Sequence, residues 1–169
     1  PPAFQEDLQD ELARLSRFVE RALLAAKAEQ GALVPVPSPF SLSDLVRDVT
    51  QDYQLLATER SLAMTLDLAE NTRIEADPDL LRQTLHGLLE NAVSYAKSKI
   101  RVSCRAEDDG PVLEIHNDVD PAPTAAAGLG LGLRLIRGIC NASGIAFEVR
   151  QSPLDFSASI RFNPMTGPK

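Results

Sequence analysis

Leu8, Leu12, Leu15, Val19, Ala22 and Ala26 recur at intervals alternating between four and three, which predicts one helix over residues 6–30 with a single apolar seam. Phe18, Leu23 and Leu24 widen that seam, and its register is also that of a short coiled coil, so a second helix is expected against it. Gly31 ends the helix, and the prolines of Val34-Pro35-Val36-Pro37-Ser38-Pro39 impose an extended linker. Ser41 or Ser43 then caps a helix reaching about Glu59, with Leu45, Val49, Leu55 and Leu56 facing inward. Leu62–Leu68 alternates as a strand and Arg73–Ala76 reads as a second, before Asp77-Pro78 launches a helix over 79–97. Two strands, 99–106 and 112–116, flank the turn Asp108-Asp109-Gly110-Pro111. A Pro/Ala-rich loop follows, then a glycine run, a helix over 131–142 stopped by Gly144, and a last hairpin of 145–151 with 156–162. This order predicts an α+β fold, a two-layer sandwich with helices on one face of a mixed sheet.

With 169 residues and 44% hydrophobic content, the chain holds one domain with a true core plus one extra element. A net charge of −7 argues against nucleic acid or an anionic membrane surface as the main partner. Cys104 and Cys140 lack pairing or metal-ligand spacing, which suits a reducing, cytoplasmic setting with no disulfide. No apolar run approaches the roughly 18 residues of a membrane span, so no membrane contact is expected of this segment. The opening Pro1-Pro2-Ala3, without an initiator methionine, leads us to expect a piece of something longer.

The sharpest chemical signal is Gly128-Leu129-Gly130-Leu131-Gly132-Leu133, leading into an apolar helix. Alternating glycines let backbone amides approach an anion, and the helix start adds free N–H groups and a positive dipole end. A dinucleotide fingerprint would follow a strand directly, and a Walker loop would end in Gly-Lys-Ser/Thr; neither is present. A second signal lies within the helix of Leu81, Leu85, Leu88, Leu89 and Ala92, where Asn91 sits beside the apolar stripe. Asn is a mediocre helix former, and its amide oxygen there suits a hydrated magnesium ion that bridges nucleotide phosphates.

Three segments in this order resemble the sensor histidine kinases of two-component systems, whose ATP-binding Bergerat-type fold is shared with gyrase-type ATPases. They are "DPDLLRQTLHGLLENAVSYA" for the asparagine box, "VLEIHNDVDPAP" for the first glycine box and "GLGLGLRLIRGICNASG" for the second. The resemblance implies a catalytic domain over 40–163, a linker over 31–39 and a tail over 164–169. Residues 1–30 are similar to the second helix of the family's dimerisation and phosphotransfer hairpin. ATP and Mg2+ are the implied ligands. Asn91 would hold the metal, Asn117 would accept the adenine amino group, and Tyr95 with Gly128, Leu129, Gly130, Leu131, Gly132 and Leu133 would complete the nucleotide site. A homodimer through the N-terminal helix and a response regulator receiver domain are the implied partners.

The match also has departures. Where the family usually carries Asn or His four residues before the magnesium asparagine, this chain has Gly87; where it carries Lys three residues after, this chain has Ser94. Asn117 replaces the usual Asp, and the lid over 118–127 is short. No acid stands at position 87 to activate water, so transfer to an imidazole fits better than hydrolysis. His86, one residue off that helix face, is expected to be a surface histidine, and Glu90 an exposed helix residue. With only His86 and His116 in the chain, the acceptor histidine is expected upstream of Pro1. A second reading makes the chain a pseudokinase that regulates a partner through its first helix.

Overall fold

The computed structural model describes residues 2–120 and 131–165. Its elements run α1 (Pro2–Glu29), β1 (Ser38–Ser41), α2 (Leu42–Glu59), β2 (Ala63–Leu68), β3 (Arg73–Ala76), α3 (Pro78–Tyr95), β4 (Ala96–Arg105), β5 (Val112–Val119), α4 (Leu131–Ser143), β6 (Ala146–Gln151) and β7 (Asp155–Arg161). Five strands form one sheet in the order β2-β4-β5-β7-β6, parallel only where β2 meets β4. The expected mixed sheet under a layer of helices is therefore what the chain builds.

Local signals place the helix ends. Ser41, not Ser43, caps α2 by accepting from the Asp44 N–H at 3.2 Å; Ser43 is buried and donates its hydroxyl to the Ala69 carbonyl. Asp77 caps α3 through the N–H groups of Asp79 and Leu80, with Pro78 in the first turn. Gly31 and Gly144 take positive φ after their helices, as the reversal there requires. α1 starts at Pro2, earlier than its periodicity indicates, and α3 ends at Tyr95 because β4 already begins at Ala96. The end of the linker is also more ordered than its prolines suggest. Ser38–Ser41 pairs antiparallel with β3 as a separate two-stranded ribbon.

The core lies between α2, α3 and one face of the sheet. Leu45, Val46, Val49 and Tyr53 face Leu85, Leu88, Leu89 and Ala92, above Ile100, Val102, Leu113, Ile115 and Ile160. Leu55 and Leu56, expected inside, are exposed instead. The buried stripe of α2 continues from Val49 through Tyr53 to Ala57, at helical spacing, and turns both leucines outward. The opposite sheet face is polar and ion-paired: Arg101 with Asp67 at 2.8 Å, Arg105 with Glu114 at 2.9 Å, His116 with Asp155 at 3.1 Å.

α1 divides into two functional halves. Its C-terminal part packs on α4, where Leu24 and Ala25 meet Leu135 and Ile139. Gly138 permits the approach, since a Cβ there would stand 2.6 Å from Ala28 Cβ. Glu29 accepts from Arg134 alongside. Further towards the N-terminus Leu8, Leu12, Leu15, Phe18, Val19 and Leu23 are all exposed, so this part of the seam is left uncovered among the described residues. Cys104 and Cys140 are buried free thiols, as expected. Among the described residues, no helix is long and apolar enough to cross a membrane.

Candidate functional site

The site is assembled where α3 packs against both β5 and α4. Leu81, Leu85, Leu88, Leu89 and Ala92 bury one stripe of α3, which leaves Asn91 half-buried at the rim of that stripe. Tyr95, one turn on, is half-buried at the last residue of the helix.

Asn117 comes from β5. Leu113 and Ile115 alternate onto the helix-covered face, and Asn117 continues that alternation inward while His116 points to the polar face. It is 1% exposed. Its Nδ2 donates to the Asp118 carbonyl at 2.9 Å, whereas its Oδ1 is buried and has no hydrogen-bond partner among the described residues. A buried acceptor left in this state is costly, so its persistence in a folded domain asks for a ligand that donates to it.

Asp118 holds this corner in place. Its carboxylate accepts from the backbone N–H groups of Lys97, Ser98 and Lys99, at 3.2, 2.9 and 2.9 Å, and from the Ser98 hydroxyl at 2.5 Å. The register of β4 against β5 shifts between Ala96 and Ile100, and these bonds fill the irregularity. Desolvation would raise the Asp118 pKa, but the Ser98 hydroxyl and the three N–H groups outweigh it and hold the carboxyl down at about 2. The turn from α3 into β4 is thereby tied to the residue beside Asn117.

α4 opens at Leu131, so Gly132 stands in its first turn; a Cβ there would meet nothing within 4 Å. Leu133 is half-buried against the core. Gly128, Leu129 and Gly130 lie outside the described residues, as does the side chain of Leu131.

Gly87 has an unexpected neighbour. It is buried, and the place of its missing Cβ is 2.9 Å from Arg21 Nη2 and 3.3 Å from Ile136 Cδ1. The same guanidinium donates through Nη1 to the Glu90 carboxylate. Glu90 is exposed as expected but is bound to α1 by this pair. His86 corrects its expectation: it is half-buried, with Nδ1 2.9 Å from the Tyr53 hydroxyl. Burial pushes its pKa down and raises that of Tyr53. Neither Arg21 nor Tyr53 was marked by the sequence. The one usable signal is the mid-helix glycine, which often records a close approach.

Known proteins similar to this chain bear on what kind of domain it is. Sensor histidine kinase CusS of Escherichia coli K12 is 26% identical over 163 residues, covering 80% of this chain and 34% of CusS. Sensor histidine kinase YkoH of Bacillus subtilis is 24% identical, covering 96% of this chain and 39% of YkoH. Among solved structures, histidine kinase AdeS of Acinetobacter baumannii superposes with a TM-score of 0.80 at 20% identity, over 95% of this chain and 84% of that one. Its homologues are sensor histidine kinases, and its fold is that of their catalytic domain. The isolated catalytic domain of histidine kinase ThkA gives 0.64 at 21% identity, over 75% of this chain and 96% of that domain. No family model matches the chain. The histidine kinase homologues are much longer, and the chain spans little more than a third of their length.

Proposed function

We propose that the chain is the ATP-binding catalytic domain of a sensor histidine kinase, joined to one helix of the hairpin through which such kinases pair and present their acceptor. The observation that carries this reading is Asn117 Oδ1, a buried acceptor without a partner at the position where the family resemblance expects adenine recognition. One Nδ2 hydrogen is used on the Asp118 carbonyl, and Oδ1 offers an acceptor to a base, which suits the amino group of adenine.

Asn91 supplies an amide oxygen to Mg2+, and the first turn of α4 with its glycine lead-in supplies backbone donors to phosphate. Among the described residues no three His, Cys, Asp or Glu side chains could hold a metal. Asn91 would hold a cation through one amide oxygen, which suits Mg2+, an ion that commonly keeps water and phosphate oxygens as its other ligands. The chemistry such an ion would supply there is neutralisation of charge on the transferred phosphoryl group.

The acceptor is an imidazole on another segment. His86 is engaged with Tyr53 and half-buried, and His116 pairs with Asp155 on the polar sheet face. Both are parts of the domain itself and neither is presented on a separate helix. The exposed seam of Leu8, Leu12, Leu15 and Val19 fits a second copy of the chain. A receiver domain is the next phosphoryl acceptor in this scheme.

Calorimetric titration with ATP, with and without Mg2+, tests the reading. Wild type binds, and Asn91→Ala loses the Mg2+-dependent part of the affinity. With radiolabelled ATP this chain stays unlabelled, whereas a chain extended upstream to include an acceptor helix takes up label. No binding at millimolar ATP, or label on this chain that disappears in His86→Ala or His116→Ala, would refute it.

A further inference from the structure

The contact of Arg21 with α3 is more than a surface ion pair. Gly87 and Asn91 are four residues apart on α3, and Gly87 and Glu90 three, so all three share one patch of helix surface with neighbouring Cβ positions about 5–6 Å apart. Arg21 crosses from α1 to lie on this patch, with Nη2 over Gly87 and Nη1 on Glu90. Its guanidinium is thus one helical turn from the proposed magnesium ligand. Even a Cβ at position 87 would stand 2.9 Å from Nη2, so the guanidinium lies this close only because residue 87 is glycine and would have to shift for any side chain. The Arg21 side chain is 22% exposed and so partly removed from water, which strengthens its attraction for an anion.

The charge balance around Asn91 gives this placement a purpose. The chain is acidic, and the last turn of α3 carries no basic residue. A triphosphate arriving at Asn91 brings several negative charges beside Glu90, and the carboxylate repels them. Arg21 is the cation that α1 delivers to that patch. Its planar fork matches phosphate as well as carboxylate, so it can exchange one for the other without moving its stem.

We propose that Arg21 is a phosphate-binding residue of the nucleotide site, supplied by α1, and that Glu90 is its resident competitor. The inference rests on the ATP-binding reading above. Two consequences follow. Nucleotide binding and docking of α1 on α3 and α4 are thermodynamically linked, because the docked helix carries part of the site. The link grows with phosphate number, so Arg21 favours ATP over ADP and leaves AMP nearly untouched.

The test is calorimetric titration of the full chain with ATP, ADP and AMP, each with Mg2+, at fixed salt. Loss of a charge-assisted bond to phosphate is expected to weaken ATP binding about tenfold in Arg21→Ala, with AMP affinity unchanged. Arg21→Lys falls between, and Glu90→Gln, which releases the guanidinium, tightens ATP binding. Unchanged ATP affinity in Arg21→Ala refutes the proposal, as does an equal loss for all three nucleotides, which is the result if Arg21 merely seats α1. Weaker ATP binding in Glu90→Gln also overturns it. A wild type that binds none of the three refutes both this inference and the reading on which it rests, whereas binding that ignores Arg21 refutes this inference alone.

Discussion

Asn117→Leu separates ligand recognition from folding in one substitution. Leaving Oδ1 buried and unpaired costs the native state about 1–3 kcal/mol, and the Nδ2 bond to Asp118 returns about 0.5–1.5 kcal/mol. Leucine has a similar volume and removes both terms. The variant alone is therefore expected to lie between about 0.5 kcal/mol less and about 2.5 kcal/mol more stable than wild type. ATP at 100 times its dissociation constant adds about 2.7 kcal/mol to wild type, which at about 2–4 °C per kcal/mol is a rise of roughly 5–11 °C in Tm. The variant should show no such rise. Asn117→Asp keeps an acceptor in place and should retain the rise, while melting lower by itself because it buries a charge. Differential scanning calorimetry with and without Mg-ATP measures all three proteins, and GTP, which presents an oxygen in place of the amino group, serves as the contrasting ligand. Asn117→Leu losing more than about 2 kcal/mol, or still rising with ATP, would refute the assignment of Oδ1 to the base.

Replacing Leu12 and Leu15 by Glu should turn a dimer into a folded monomer by sedimentation, with far-UV circular dichroism of the domain retained; a wild type that is monomeric at high concentration contradicts the pairing. Gly138→Ala forces α1 off α4 through Ala28 and should cost about 1–3 kcal/mol, read by denaturant titration; faster proteolysis near Gly31 should accompany it. The Asp118 carboxyl has its pKa lowered to about 2 in the fold against an ordinary value of 3.8. Its contribution is present above about pH 4 and lost as pH falls towards 2. Asp118→Asn should therefore be less stable than wild type near neutrality, and the gap should close on acidification; a gap independent of pH would contradict this.

Much of the fold is legible because its punctuation is local. Ser41, Asp77-Pro78, Gly31 and Gly144 act within one turn of the residues they cap, and the Asp-Asp-Gly-Pro turn needs only its own four residues. Asn91 could be singled out for the same reason, since its place beside an apolar stripe follows from helical period alone. Leu55 and Leu56 lie outside because hydrophobicity does not say which of two adjacent stripes finds a partner; α2 turns Tyr53 and Ala57 inward instead. Pairing of Ser38–Ser41 with Arg73–Ala76 joins segments more than thirty residues apart, and the prolines concealed it.

Every element but the Ser38–Ser41 strand, their order along the chain and the residue types available for chemistry are readable without the fold. Periodicity and capping are short-range properties, written in neighbouring residues. Which of those residues meet is settled by packing. The pairing register of β5 buries Asn117 and isolates its oxygen, and the packing of α1 across α3 and α4 brings Arg21 to Gly87 over 66 positions of chain. Such contacts depend on how whole faces fit together, and no local pattern encodes that fit.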